Sequence, residues 1–509
     1  MVDTTETPHQ QPASPSVARA TPDALTDQPD AMVDLVRWAR SLRLQDIPAS
    51  LVDTTKQRVL DLLGSALAGT QAEGVPELLG LVQGWGGRRL CSVIGSAERT
   101  SLPLAVLVNA TVGRALELDD VHERALLHPS VATVPVALGI AESEPGVDGG
   151  RLLTSLVAAQ EVMCRLGLSP EYHVSGPQHR PRGWSYTYQC GILGGALVAA
   201  LLRGYDESRT LDALGNAYTA LAGNQQAIKE ATLAIRVQQG LAAQTAVQSA
   251  DLAGAGITGP HHVLEGMYGW LTYWQGGAYD RGALLDDLGE RWMVAETSIK
   301  PYPVCRITHN AVDATRAVMD QNGLSADDID RIVVHVNSQE SWEEVVDPLE
   351  RRRRPTSPMD AQFSLPFICA TVALHGTVTL EHLSEEAIGS PAVLALAERV
   401  EPVLDDDPHT VGRAIPMPVV VDVYAGGQVH SSRSDLPYGH PTKPLGWAGV
   451  EAKVRDCARW GADAADSPDD QLLDRLLSTV RGLEDERDPG RLMPLLAGAR
   501  SIPARARRR

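Results

Sequence analysis

Two stretches of the chain gather several titratable side chains within a few residues of one another. The first is Glu117-Leu-Asp-Asp-Val-His122, followed by His128-Pro129-Ser130, with three carboxylates and two imidazoles. The second runs from Ser298 to His309 and carries Lys300, Tyr302, Cys305, Arg306 and His309. An imidazole of suitable pKa can take or return a proton, and Lys and Arg can stabilise negative charge that grows during a reaction. Five lysines stand against 40 arginines in this chain, so a lysine at 300 hints at an amine that must lose its proton. The plainer alternatives are a capped helix–helix loop for the first stretch and a hinge stiffened by Pro301 and Pro303 for the second.

The surrounding periodicity shows what would position these groups. Apolar residues recur at helical spacing over Val52–Leu67, Leu102–Leu118, Leu152–Leu168, Gly191–Leu202, Thr210–Leu221 and Gly240–Gly254. Several of these segments are rich in Ala and Gly, which suits close packing on most sides. Only Arg89–Ile94 reads as a strand in this half. The β-branched runs Arg331–Val336 and Val419–Tyr424 are strands, with Gly426-Gly427 able to turn the second into Gln428–Ser434. Helical spacing between them, over His309–Asp320, Ala361–Leu374 and Ala392–Val400, indicates a small α+β domain. Helical periodicity then returns at Val450–Trp460 and Gln471–Leu483.

The expected architecture is therefore mainly α. A disordered arm spans 1–30, and a large helical domain is built from 31–282 and 424–497. A smaller α+β lid domain, 283–423, is inserted into it, and 498–509 form a frayed basic tail.

A chain of 509 residues with 43% hydrophobic and 21% charged residues is an ordinary globular protein. Its net charge of −19 argues against a general nucleic-acid binder. No apolar run reaches the roughly 20 residues of a membrane span, and the first 30 residues lack the layout of a signal peptide. Six scattered cysteines without a CxxC pair fit reduced thiols, hence a cytoplasmic protein. Neither a P-loop, an HExxH helix, an EF-hand loop nor a GxSxG elbow occurs.

The chain resembles the MmgE/PrpD family, which includes 2-methylcitrate dehydratase, cis-aconitate decarboxylase and iminodisuccinate epimerase. The resemblance lies in LELDDVHERALLHPSVATVPVALGIAE, GLAAQTAVQSADLAGAGITGPHHVLEG, SIKPYPVCRITHNAVDA, DAQFSLPF and DLPYGHPTKPLGWAGVEAKV, in the family's order. It implies a homodimer whose active site lies between the two domains and uses no metal or organic cofactor. The implied substrate is a small anionic di- or tricarboxylate. The implied catalytic residues are His128, Lys300, His309, Asp119 and His122. Asp120, Ser185, Arg236, Tyr302, Cys305 and Arg306 are expected to bind substrate. The expected activity is that of a lyase, a dehydratase or decarboxylase. An epimerase using the same carbanion, or a ligand-binding member without catalysis, is the alternative.

Three positions depart from the family pattern. Ser185 follows Gly183-Trp184 where a His is common, Gln238 stands where a titratable His often sits, and Glu117 replaces a usual Asp. The basic stretch Ser169–Arg182, with His173, His179, Arg180 and Arg182, reads either as a loop closing over an anion or as a solvated loop.

Overall fold

The computed structural model describes residues 29–170, 183–405, 418–461 and 470–497. The tail from 498, most of the N-terminal arm and residues 171–182 lie outside the described residues. Asp30, placed in the arm by the expected boundary, is buried, and its carboxylate accepts from Met32 N, Leu264 N and Glu265 N.

Two hydrophobic cores organise the chain. The larger runs from Ala31 to Val294 and resumes from Val450 to Leu496. Its helices include Ala49–Gly69, Leu102–Arg114, Ser130–Ser143, Gly149–Leu168, Tyr186–Leu202 and Ala234–Gly254, joined by Gly446–Trp460 and Asp470–Arg481 from the far end. Small residues set their spacing. A Cβ on Gly64 would meet Val454 Cγ2 at 2.7 Å, so the Ala49–Gly69 and Gly446–Trp460 helices can touch only there without a side chain. The Arg89–Ile94 strand is half of a hairpin, β1 (Cys91–Val93) with β2 (Ser96–Thr100).

The second core spans Tyr302 to Val423. It is built on strands β3 (Ile329–Val336), β4 (Val400–Leu404), β5 (Val419–Ala425) and β6 (Gln428–Ser434), in the order β4-β3-β5-β6. β3 pairs parallel with β4 and antiparallel with β5, and β5 turns through Gly426-Gly427 into β6. Both glycines have positive φ, 57° and 78°, as a tight two-residue hairpin turn requires. Burial alternates along β5, against which the His309–Asn322 helix packs, while the Leu365–His375 helix packs on that helix and on β4. The fold is mainly α with a small α+β part.

The boundaries of this second unit differ from the expected 283–423. Residues 284–294 belong to the first core, because the buried Arg165 guanidinium donates to the carbonyls of Leu284, Asp286, Asp287 and Arg291. At the other end β6 stays in the sheet, carrying the unit to Ser434. The expected Ala361–Leu374 helix is broken at Phe363-Ser364, where the Ser364 hydroxyl caps the second piece by accepting from Phe367 N.

Candidate active site

The loop between the Leu102–Arg114 and Ser130–Ser143 helices carries the first polar stretch. The helix ends at Arg114, one turn earlier than the apolar spacing suggests, and Glu117 adopts φ 55°. That left-handed backbone is strained for a glutamate, on the order of 1–3 kcal/mol, and it occurs within the charged cluster. The loop is fixed from three sides. Val121 pairs antiparallel with Ser298. Lys453 Nζ donates to the Leu118 carbonyl at 2.7 Å and to Asp61 at 2.5 Å. Gln362 Nε2 donates to the carbonyls of Leu116 and Pro303, tying the loop to the second polar stretch.

These restraints assemble a buried chain of alternating charge. Lys300 Nζ donates to Glu117 Oε2 at 3.1 Å, and Arg114 Nη1 lies 2.5 Å from Glu117 Oε1 and 3.0 Å from Asp119 Oδ1. Asp119 Oδ2 in turn lies 3.0 Å from His128 Nδ1, close enough for an ion pair but without the alignment of a hydrogen bond. Burial alone would raise the pKa of both carboxyls, but their cations outweigh it. Arg114 and Lys300 hold Glu117 down to about 2, and Arg114 and His128 hold Asp119 well below the usual carboxylate range. Both stay ionised at neutral pH. His128 is the one member that reaches open space, with its side chain 14% exposed. Its Nε2 makes no hydrogen bond among the described residues. An Nδ1–H turned toward Asp119 leaves Nε2 as the proton-accepting nitrogen.

The other two candidate histidines are closed off. His122 Nδ1 accepts from Ala125 N, so its Nε2–H donates to the Met293 carbonyl. His309 Nδ1 accepts from Arg306 Nη1, so its Nε2–H donates to the Val304 carbonyl. Burial keeps His122 low, and burial beside Arg306 and Lys300 keeps His309 well below the ordinary value. Both rings are neutral, and each of their nitrogens is engaged within the protein.

Several expected substrate contacts are likewise engaged within the protein. Asp120 accepts from Ser130 N and Ser130 Oγ, lies 3.8 Å from Arg58, and is pushed by burial up to about 6. Tyr302 donates to Asp313, and Arg306 binds Glu123 and the Tyr438 carbonyl. Burial beside Glu344 raises the Cys305 thiol well above its ordinary value. Ser185 Oγ caps the Tyr186–Leu202 helix. Arg236 is different, with a single bond to the Glu73 carbonyl. The expected anion-closing stretch falls largely on residues 171–182, outside the described residues.

Arg114, Asp61, Lys453, Glu123 and Gln362 were missed as parts of the site. Gln362 and Lys453 lay in two of the segments that carry the family resemblance. Arg114 sits inside an apolar helical pattern and gives no signal of its own.

No helix among the described residues is long and apolar enough to cross a membrane. No three His, Cys, Asp or Glu among them converge as a metal site.

Two cores joined at this charged seam, with the motifs that line it, define one family. The chain matches the MmgE/PrpD N-terminal domain over residues 33–280 and the MmgE/PrpD C-terminal domain over 302–479, and it belongs to that family. Its curated relatives are cis-aconitate decarboxylases and a protein like them. The cis-aconitate decarboxylase-like protein of Aspergillus oryzae is 25% identical over 93% of this chain and 98% of its own length. The cis-aconitate decarboxylase of Homo sapiens is 26% identical, covering 90% of this chain and 92% of its own. That of Aspergillus terreus is 25% identical over 72% of this chain and 77% of its own.

Proposed function

We propose that the protein is a lyase acting on a small di- or tricarboxylate, with His128 as the group that moves the proton. The observation that carries this reading is the Asp119–His128 pair, whose outer nitrogen is free while every other member of the buried charge chain is engaged. The relatives named as cis-aconitate decarboxylases support decarboxylation of a related substrate. In that reaction the C–C bond to the departing CO₂ breaks, and its electron pair delocalises toward a neighbouring carboxylate. For this direction the ring must carry a proton on both nitrogens beside the Asp119 carboxylate, and the Nε2 proton then moves to carbon and leaves the neutral imidazole. In a dehydration the same nitrogen takes the α proton and hydroxide leaves. The net charge of the buried chain is low, because Lys300 and Arg114 already face Glu117 and Asp119. Its contribution is to fix His128 and shape the local field.

One observation favours epimerisation as a second reading. Ser185, at a position where the family commonly has a His, is used as a helix cap and offers no acid for a leaving group. Incubating the protein with a panel of di- and tricarboxylates in deuterated water separates the readings. Loss of mass marks a lyase, and deuterium uptake at unchanged connectivity marks an isomerase. No change with any member of the panel would leave only a binding role and sink both.

We also propose a cytoplasmic homodimer. Six free, buried thiols suit a reducing compartment. Trp85, Met267, Tyr268 and Tyr273 are each more than half exposed on the helical domain, as a surface covered by a second copy would be. Sedimentation as a monomer at micromolar concentration would contradict the dimer.

A further inference from the structure

Five carboxyls around the seam, those of Asp61, Glu117, Asp119, Asp120 and Glu123, each lie within 4.0 Å of a cation. Glu344, on the side of the second core, has no such partner among the described residues, although Glu117 is near enough for its charge to act on it. Its backbone is firmly placed. Glu344 lies in the short Gln339–Val345 helix, where the Ser338 hydroxyl accepts from Ser341 N. The buried Arg352 guanidinium donates to the Glu344 carbonyl at 2.7 Å and is itself paired with Asp360. Cys305 N donates to the Gln362 carbonyl, and Gln362 Nε2 reaches across to the Leu116 carbonyl beside Glu117.

The side chain is half engaged and half open. The Cys305 thiol, which burial keeps protonated, donates to Glu344 Oε1 at 3.7 Å. Oε2 makes no hydrogen bond among the described residues and is not sealed from solvent, in a residue that is only partly buried. Desolvation raises the Glu344 carboxyl above its ordinary value, and the Glu117 charge adds to this. Lys229, the Cys305 thiol and Arg352 pull the other way without cancelling it. A carboxyl so placed holds its proton to higher pH than a solvated glutamate, which is what a general acid needs.

We propose that Glu344 is the proton donor to a leaving hydroxyl, working with His128 from the other side of the seam, so that the substrate is a hydroxylated di- or tricarboxylate. This rests on the lyase reading and supplies the acid that Ser185 does not offer. His128 Nε2 takes the α proton, and the C–H electron pair moves toward the adjacent carboxylate. That pair then forms the C=C bond as the C–O bond breaks. The oxygen keeps the C–O pair, takes the Glu344 proton and leaves as water. Glu344 is left as a carboxylate and His128 as an imidazolium, and proton exchange with solvent resets both.

The test incubates the full-length protein with malate, citrate and related hydroxy acids, follows loss of water by mass, and repeats the measurement with the fluoro analogue of the acid that reacts. Fluoride departs with far less help from a proton than hydroxide does. Glu344→Gln should slow water loss about 10²–10⁴-fold, through kcat more than KM, and slow fluoride loss far less. Deuterium uptake into unreacted substrate, which needs only His128, should persist. Wild-type water loss should fall as rising pH strips the Glu344 proton, and that fall should vanish in Glu344→Gln. Glu344→Asp keeps an acid on a shorter arm, so it too should slow water loss more than fluoride loss, and it decides the matter if Glu344→Gln does not fold. Equal slowing with both leaving groups, or undiminished water loss, overturns the role of Glu344 while the lyase reading stands. A wild type that decarboxylates and never releases water does the same. A wild type inert toward every acid overturns the lyase reading and this role with it.

Discussion

Val121 and Ser298 exchange two backbone hydrogen bonds, Val121 N to the Ser298 carbonyl at 3.0 Å and Ser298 N to the Val121 carbonyl at 2.8 Å. This short antiparallel pairing sets Asp119 and Lys300, each two residues from the bridge, on the two ends of the Arg114–Glu117 link. The charged seam is thus built by backbone pairing first and side-chain attraction second.

His128 is where the proposed chemistry is most exposed to test. His128→Gln keeps a hydrogen-bonding side chain and removes the titrating group, so turnover should fall about 10²–10⁴-fold. The melting temperature should fall less than for Lys300→Met, since Asp119 keeps Arg114 and the glutamine amide can still donate to it. Parallel measurement of initial rate and thermal unfolding checks both halves.

Lys300→Met should cost stability as well as activity. Lys300 is 1% exposed and faces Glu117, so its removal leaves a buried carboxylate with one cation fewer, a loss of about 3–5 kcal/mol. The double variant Lys300→Met with Glu117→Gln should recover much of that stability without recovering activity. Lys443→Met is the control. Lys443 is 55% exposed and 3.6 Å from Asp313, and its loss should stay within about 1 kcal/mol. Denaturant titration of these variants and of Glu117→Gln alone decides, and full additivity in the cycle would contradict the Lys300–Glu117 coupling.

Acid should weaken the fold through Glu117. Its folded pKa lies near 2 against an ordinary 4.5, so its ionised form stabilises the protein above pH 4.5 and that contribution disappears as pH falls toward 2. The shift corresponds to roughly 3 kcal/mol. Glu117→Gln should therefore be less stable at pH 7 and show a flatter decline between pH 4.5 and 2. Asp61 runs the other way. Burial raises it to about 6, so its contribution favours the fold below pH 3.8 and is lost as pH rises through 6. Unfolding free energies measured across pH 2–7 test both signs.

Gly439→Ala should damage the site from a distance. Gly439 has φ 88°, and a Cβ there would stand 1.9 Å from the Ile299 carbonyl. The clash and the disfavoured backbone should together destabilise by several kcal/mol, about 2–4, and displace the residue that precedes Lys300. A normal melting curve for this variant would show that the segment tolerates the shift.

Much of this was legible in the residues and some was not. Periodicity located the helices and β3, β5 and β6, because a 3.6 or 2.0 repeat survives wherever one face is buried. The close-packed Ala- and Gly-rich helices were also anticipated, and Gly64 against Val454 shows why small residues stand there. The domain boundaries were misplaced because nothing in residues 284–294 announces that a distant arginine, Arg165, will bind their carbonyls. For His122 and His309 a sequence gives residue type and neighbourhood but not which ring nitrogens are already bonded. Arg114 was invisible for the opposite reason, a charge set within an apolar helix whose end could not be fixed to a residue.

The bond from Lys453 to the Leu118 carbonyl bears on how the protein is made. Lys453 follows Leu118 by 335 residues, on a helix that must dock against Ala49–Gly69 before it can hold the loop that carries Asp119 and His128. During synthesis the first domain emerges with that groove empty and that loop untethered. Fragments that stop short of residue 446 would carry every residue of the seam and still lack its last fastening. Competence therefore arrives late, only once residues 446–460 have been made and docked.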